Sequence, residues 1–307
     1  MKSELNKTID FPLSEAKEYL KQAINEKDLG NLRFSDLINK NIIGNFFHAI
    51  DFIEDESIDL IIVDPPYNLR KDYHGNIFNE TTKNEYETYT RAWLEKLVPK
   101  LKKDGSIYIC CDWKSSMVIG RTLADYVIVR NRITWKREKG RGSKTNWKNS
   151  MEDIWFATKS NDYVFNIDDV MIRKRVIAPY KKDGMPKDWQ DSEEGKYRDT
   201  HPSNFWEDIT IPFWSMKENT DNPTQKTEKL ISRLILAGSN EGDLVLDPFL
   251  GSGTTSVVAK KLNRNFIGIE QNELYVAWAQ KRLEMADEDP TIQGFEGGIY
   301  RERNFRL

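Results

Sequence analysis

The spacing of apolar positions changes from segment to segment along this chain, and the changes mark out its elements. Short apolar runs occur at Ile58 to Val63, Ser106 to Cys111, Leu244 to Leu246 and Phe266 to Ile269. Runs of this length, bounded by turn-forming residues, predict parallel strands covered on both faces. Asn41 to Phe47, Val127 to Trp135 and Ile154 to Thr158 read as further strands. Helical spacing marks Tyr86 to Leu101, Ser115 to Asp125, Thr224 to Ala237, Thr254 to Leu262 and Glu273 to Met285, the first of these ended by Lys102-Lys103-Asp104-Gly105. In residues 1–40 the apolar positions Leu13, Tyr19, Leu20, Ile24, Leu32, Leu37 and Ile38 stand among polar neighbours, which predicts an amphipathic helical extension.

Periodicity fades between Asn161 and Thr220, where Pro179, Pro186, Pro202, Pro212, Trp189, Trp206 and Trp214 interrupt it. A long irregular stretch inside a compact domain is usually functional. Strands alternating with helices on both sides of it predict one α/β domain with a parallel sheet and an inserted middle. The expected divisions are a helical extension (1–40), a first half (41–135), an inserted region (136–220), a second half (221–286) and a C-terminal tail (287–307). The strand near 154–158 is a piece of the insertion that the core sheet could claim.

Composition narrows the class. Charged residues make up 31% and the hydrophobic set 38%, the balance of a soluble globular protein. Met1 to Asp10 is polar, and no apolar stretch approaches the roughly 20 residues of a membrane span, so a cytoplasmic protein is expected. Cys110 and Cys111 are neighbours in a strand and should point to opposite faces as inert core thiols. His48, His74 and His201 show no ligand spacing, and no metal is expected. The net charge of −3 conceals a local excess. Arg130, Arg132, Lys136, Arg137, Lys139, Arg141, Lys144 and Lys148 meet a single acid, Glu138. One basic face on a near-neutral protein can still bind phosphates.

Two segments carry chemistry. After Leu244-Val245-Leu246 the chain reads Asp247-Pro248-Phe249-Leu250-Gly251-Ser252-Gly253-Thr254-Thr255. Gly251 and Gly253 permit positive φ and close backbone approach, so an adenosyl cofactor would lie where this strand turns into a helix. The dinucleotide fingerprint is excluded, because Ser256 stands where its third glycine belongs. The next strand ends in Glu270, an acid able to take both ribose hydroxyls. A plain strand–turn–helix connection would explain Gly-Ser-Gly alone, but not the flanking Asp-Pro-Phe, the Thr-Thr and Glu270 together.

The other segment is Asp64-Pro65-Pro66-Tyr67, after Ile58 to Val63. An exocyclic amino group on an aromatic base is a poor nucleophile, because its lone pair is delocalised into the ring. Acceptors for its protons localise that pair. Asp64 can supply a carboxylate oxygen and Pro65 a backbone carbonyl, while Tyr67 offers a face on which an extruded base can stack. A bare Pro-Pro strand stop with a core tyrosine is the plain alternative, and the cofactor loop argues against it.

With these motifs the chain resembles the amino-methyltransferases of bacterial DNA, in the beta group whose catalytic motif precedes its cofactor motif. The resemblance extends to Asn222-Pro223-Thr224-Gln225-Lys226, Gly242-Asp243 and Phe266-Ile267-Gly268-Ile269-Glu270. It implies a mostly parallel seven-stranded sheet flanked by helices, with a variable insertion that reads DNA, and S-adenosylmethionine as methyl donor. It implies Asp64, Pro65, Pro66 and Tyr67 as catalytic residues. The cofactor residues would be Asp64, Gln225, Lys226, Asp247, Pro248, Phe249, Gly251, Gly253, Thr254, Thr255 and Glu270.

The resemblance further implies methylation of the 6-amino group of adenine in a specific sequence of double-stranded DNA, by base flipping. Cytosine-directed members usually carry Ser at the position of Asp64; methylation of the 4-amino group of cytosine is the alternative. The family usually reads His-Pro-Thr-Gln-Lys-Pro, where this chain has Asn222 and Thr227 at the ends. The basic loop before the variable region would contact DNA through Lys136, Arg137, Lys139, Arg141, Lys144, Asn146 and Lys148. A homodimer, and a cognate restriction endonuclease acting separately, are both compatible with the resemblance.

Overall fold

Successive residues of the strand Ile58–Val63 enter two different apolar layers: Leu60 and Ile62 one, Ile61 and Val63 the other. The strand Leu101–Cys111 does the same, with Tyr108 and Cys110 on one face and Ile107, Ile109 and Cys111 on the other. The two cysteines therefore part to opposite faces, both buried and free. A sheet with two apolar faces needs cover on both sides, and helices supply it. The computed structural model describes residues 3–137, 144–177, 180–182, 184–192 and 195–302.

The central sheet has nine strands in the order Ile24–Asn25, Lys40–Ile43, Asn265–Glu270, Leu244–Asp247, Ile58–Val63, Leu101–Cys111, Met151–Thr158, Ile128–Lys136 and Phe205–Trp206. Seven form its body, and a two-residue strand lies at each edge. Every neighbouring pair is parallel except the two made by Met151–Thr158. The expected mostly parallel α/β sheet is therefore present. Helices Lys83–Leu97 and Trp113–Leu123 pack on one face, and Glu228–Gly238 and Thr254–Lys261 on the other.

Several local expectations are corrected. The described residues 3–40 are helical only in short pieces and form no single amphipathic helix. They form the 3-10 helices Leu13–Glu15 and Glu26–Asn31, the four-residue helices Lys17–Leu20 and Phe34–Leu37, and the edge strand Ile24–Asn25. Their apolar positions are too widely spaced for one continuous stripe, and the Asn25 side chain accepts from Lys27 N, closing a local turn. The strand expected over Asn41 to Phe47 stops at Ile43. Asn45 then caps the helix Phe46–Ala49 by accepting from Phe47 N. Lys102 to Gly105 do not merely end a helix. They open a strand whose register shifts where it meets Ile58 and Leu60.

The tail is corrected too. Phe295–Glu296 and Ile299–Arg301 join Ile172–Arg175, Gln190–Ser192 and Gly195–Thr200 in a five-stranded sheet. The end of the chain and its irregular middle thus share one structure. Tyr300 is fully buried there, and its hydroxyl lies 2.7 Å from Ser232 Oγ on helix Glu228–Gly238.

Candidate active site

Three neighbouring parallel strands, Ile58–Val63, Leu244–Asp247 and Asn265–Glu270, end at the same edge of the sheet. Asp64 immediately follows the first, while Asp247 and Glu270 are the last residues of the other two. A parallel sheet brings its carboxyl ends together, and ligands of such folds bind there. A cavity of about 730 Å³ opens at that edge. Its wall includes Asp64, Pro65, Pro66 and Tyr67 on one side and Asp247, Phe249, Gly251 and Glu270 on another.

The glycine loop is held from within. Asp247 Oδ1 accepts from Phe249 N at 3.1 Å, and Oδ2 accepts from Thr255 Oγ1 at 2.5 Å. Burial pushes the Asp247 carboxyl up to about 7 against these two donors. Glu270 Oε2 accepts from Gly251 N at 2.9 Å and Oε1 from Asn272 N at 2.8 Å. Burial raises the Glu270 carboxyl as well, with the Asn272 and Gly251 N–H groups opposing it. Gly253 has φ of 84°, and a Cβ there would stand 2.4 Å from Ala279 Cβ, so no larger residue fits. Pro248 is buried, and the Phe249 ring lies 5.3 Å from that of Phe46.

The cofactor residues expected from the sequence thus divide. Phe249, Gly251 and Glu270 line the cavity beside the loop. Thr254 and Thr255 line it too, but their hydroxyls are engaged inside the fold, Thr254 Oγ1 donating to Lys226 O at 3.1 Å. The Gln225 side chain is likewise occupied. Its Oε1 accepts from Thr220 N and Thr220 Oγ1, and its Nε2 donates to Glu218 O. Thr227, where a proline was expected, caps helix Glu228–Gly238 by accepting from Leu230 N.

The Lys226 side chain reaches past the glycine loop. Its Nζ donates to Asp64 Oδ2 at 2.6 Å and lies 3.2 Å from Tyr67 OH. Tyr67 OH is 2.9 Å from Asp64 Oδ1, so each Asp64 oxygen has a partner. Burial opposes the charge on Lys226, but Asp64 and Glu152 outweigh it and push the ammonium above the ordinary lysine range. Burial, with the Asp64 and Glu152 charges adding to it, likewise raises the Tyr67 hydroxyl well above its usual value. Neighbouring helices brace the tetrad: Tyr86 OH donates to Pro66 O at 3.1 Å, and Ser115 Oγ accepts from Asn68 N at 3.0 Å.

Glu152 was not visible as a site residue. The strand that carries it begins at Met151, three residues earlier than the apolar pattern suggests, so the acid fell within the expected insertion. Its Oε1 accepts from Arg137 Nη1, and its Oε2 lies 3.4 Å from Lys226 Nζ. Arg137, expected on DNA, thereby stands in the cavity wall.

The rest of the basic cluster is also sorted by the fold. Arg130 donates to Thr158 Oγ1, Ser160 O and Asn161 Oδ1 and lies over the Tyr163 ring, so it belongs to the fold. Lys136 is exposed, 3.4 Å from Glu207. Lys144, Asn146 and Lys148 are exposed around Trp147, which is 92% exposed. Lys139 and Arg141 lie outside the described residues. Among the described residues, no helix is long and apolar enough to cross a membrane.

The model of a family described as DNA methylase matches residues 58–281. The chain is 37% identical over 258 residues to Type II methyltransferase M.HpaI of Haemophilus parainfluenzae, covering 83% of this chain and 76% of that protein. It is 34% identical over 265 residues to DNA adenine methyltransferase YhdJ of Escherichia coli (strain K12), covering 83% and 85%. Among solved structures, PvuII DNA methyltransferase, described as cytosine-N4-specific, superposes with a TM-score of 0.61 at 20% identity, covering 79% of this chain and 85% of that one. A complex of M1.HpyAVI with SAM gives 0.55 at 24% identity, covering 79% and 98%.

Proposed function

Because the chain belongs to the DNA methylase family, we propose that it transfers a methyl group from S-adenosylmethionine to the 6-amino group of adenine in double-stranded DNA. The observation that carries this is the single cavity in which the Asp64 tetrad faces the glycine loop and Glu270. The residues fit an adenosyl cofactor. Gly251 lines the cavity with bare backbone, Phe249 offers a flat apolar surface, and an acid stands at the next strand end, while Gly253 packs against Ala279 outside the cavity wall. Glu270 lines the cavity, and the backbone N–H groups of Gly251, Asn272 and Gln271 hold its carboxylate; of the roughly four lone-pair sites on its two oxygens, one is left for a ribose hydroxyl. When bound, the cofactor supplies an electrophilic methyl on a positively charged sulfur.

The residues of the chain do the rest. The Asp64 carboxylate and the Pro65 carbonyl accept the two amino protons, which localises the nitrogen lone pair towards the methyl. Tyr67 and Lys226 fix the carboxylate's orientation. The Asp64 carboxylate, already accepting from the amine, receives the proton that the amine gives up once the new C–N bond has formed. The base must leave the helix to reach this recess, as for other enzymes that act on a base edge. The exposed Lys136, Lys144, Asn146 and Lys148 suit contacts with the duplex backbone and base edges.

The test is mass spectrometry of nucleosides from duplex DNA incubated with the purified protein and S-adenosylmethionine. The expected product is N6-methyladenine. N4-methylcytosine would assign the alternative base, and an unmodified digest would sink the reading.

A further inference from the structure

Glu152 brings a second carboxylate into the cavity wall, and the reaction as described above does not use it. Its strand, Met151–Thr158, is separated from the tetrad's strand by Leu101–Cys111. Its side chain is only 4% exposed, and both oxygens face charged or polar groups. Oε1 accepts from Arg137 Nη1; Oε2 lies 3.4 Å from Lys226 Nζ and 3.3 Å from Tyr67 OH. The last two groups are the same two that sit on Asp64, at 2.6 Å and 2.9 Å. Four alternating charges therefore run in a row: Arg137, Glu152, Lys226 and Asp64.

This row poses a problem for the chemistry and also suggests its answer. An ammonium on Asp64 Oδ2 competes with the target amine for the carboxylate's lone pairs. Where the Lys226 and Glu152 side chains are almost fully buried, that competition is stronger than in bulk solvent. Glu152 attracts the same ammonium from the other side, and Arg137 compensates Glu152 so that its burial is tolerated. We propose that Glu152 is a positioning residue for methyl transfer. It shares Lys226 and Tyr67 with Asp64, and so leaves Asp64 able to accept from the amine. The inference rests on the methyl-transfer reading. Without the Glu152 charge, Lys226 and Tyr67 settle on Asp64 alone. A purely structural Glu152, serving only to anchor Arg137, would not produce the pattern of effects expected below.

The experiment compares wild type, Glu152→Gln, Lys226→Met and the double variant. It measures single-turnover methylation of duplex DNA and cofactor affinity by calorimetry. Glu152→Gln should slow transfer by roughly 100-fold, the effect of slightly misplaced reacting groups, with cofactor affinity unchanged. The double variant should be no slower than Glu152→Gln, because the ammonium that Glu152 restrains is gone. A wild-type rate in Glu152→Gln, additive losses in the double variant, or a parallel fall in cofactor affinity would each overturn the role. If Glu152→Gln does not fold, Glu152→Asp carries the test. It keeps the charge one methylene shorter and should slow transfer by roughly 10-fold at unchanged cofactor affinity, and a wild-type rate would again overturn the role. A wild type that methylates no base would sink the methyl-transfer reading instead.

Discussion

Lys226 Nζ lies 2.6 Å from Asp64 Oδ2, although 162 positions separate the two residues in the chain. The pair joins the segment before helix Glu228–Gly238 to the catalytic tetrad. The Lys226 ammonium faces the Asp64 carboxylate, while its backbone carbonyl faces the glycine loop. Thr254 reinforces the join by donating to the Lys226 carbonyl, which ties the lysine to the glycine loop as well as to the acid.

Asp64→Ala removes the acceptor proposed for the amine. Methyl transfer should fall by about 100-fold or more in single-turnover kinetics, the usual loss for one well-placed polar catalytic group. Cofactor affinity by calorimetry should remain near wild type, because the glycine loop is held by Asp247 and Glu270. A variant that turns over at the normal rate would remove Asp64 from the mechanism.

Glu270→Ala should weaken S-adenosylmethionine binding by about 1.5–3 kcal/mol, the range for hydrogen bonds to a charged group. Part of that loss comes from freeing the Gly251 N–H that Glu270 now accepts. Glu270→Gln should recover part of the affinity, since an amide oxygen still accepts. Equal dissociation constants for Glu270→Ala and wild type would place the ribose elsewhere.

Tyr67 separates ring from hydroxyl. Tyr67→Ala should destabilise the complex with target DNA by roughly 1–3 kcal/mol if the ring stacks on the flipped base. Tyr67→Phe should bind DNA as wild type yet transfer more slowly, because Asp64 Oδ1 loses its 2.9 Å partner. Fluorescence of 2-aminopurine at the target position reads the first effect and single-turnover kinetics the second. If Tyr67→Ala behaves as wild type in both, the ring is a packing element.

The buried carboxylates set the pH response of the cofactor-free protein. Asp247 is raised to about 7 by burial, and Glu218 to about 7 by burial and the nearby Glu228 charge. A carboxyl whose folded value exceeds its unfolded one binds its proton more tightly in the folded state. Its contribution is complete below the unfolded value and is lost as pH rises through the folded one. Thermal unfolding should therefore show stability declining from about pH 4 to about pH 7. Asp247→Asn should flatten the decline, because its side chain stays neutral throughout. A slope unchanged in that variant would contradict the assignment.

Lys144 and Lys148 are exposed in a stretch with no acid between them. If they follow the phosphate backbone, each contact contributes about 0.9 to the slope of log affinity against log salt. Lys144→Ala with Lys148→Ala should weaken binding to all duplexes alike and flatten that slope, with cofactor affinity unchanged. An unchanged slope would mark these lysines as an ordinary solvated face.

Much was legible in the sequence because it is local. Unbroken apolar runs announced the two-faced strands, since a strand covered on both sides has no polar face to alternate. The Asp64 tetrad and the Asp247 loop were legible because strand ends and tight turns require particular residues at fixed spacing, as Gly253 does against Ala279. What the sequence could not determine depends on which distant segments meet. Residues 3–40 lacked a continuous stripe and became short helices and an edge strand, because neighbouring segments supply their contacts. The end of the chain became part of a sheet only because Ile172–Arg175 offers Ile299–Arg301 an edge to pair with. Arg137 and Glu152 differ little, as residue types, from the solvated charges around them. Only the pairing of Ile128–Lys136 with Met151–Thr158, and the arrival of Lys226 from the other half of the chain, bury those charges beside Asp64. Local pattern fixes the elements and the short motifs. Long-range packing decides which charges are taken from water together, and a charge's energy depends on that.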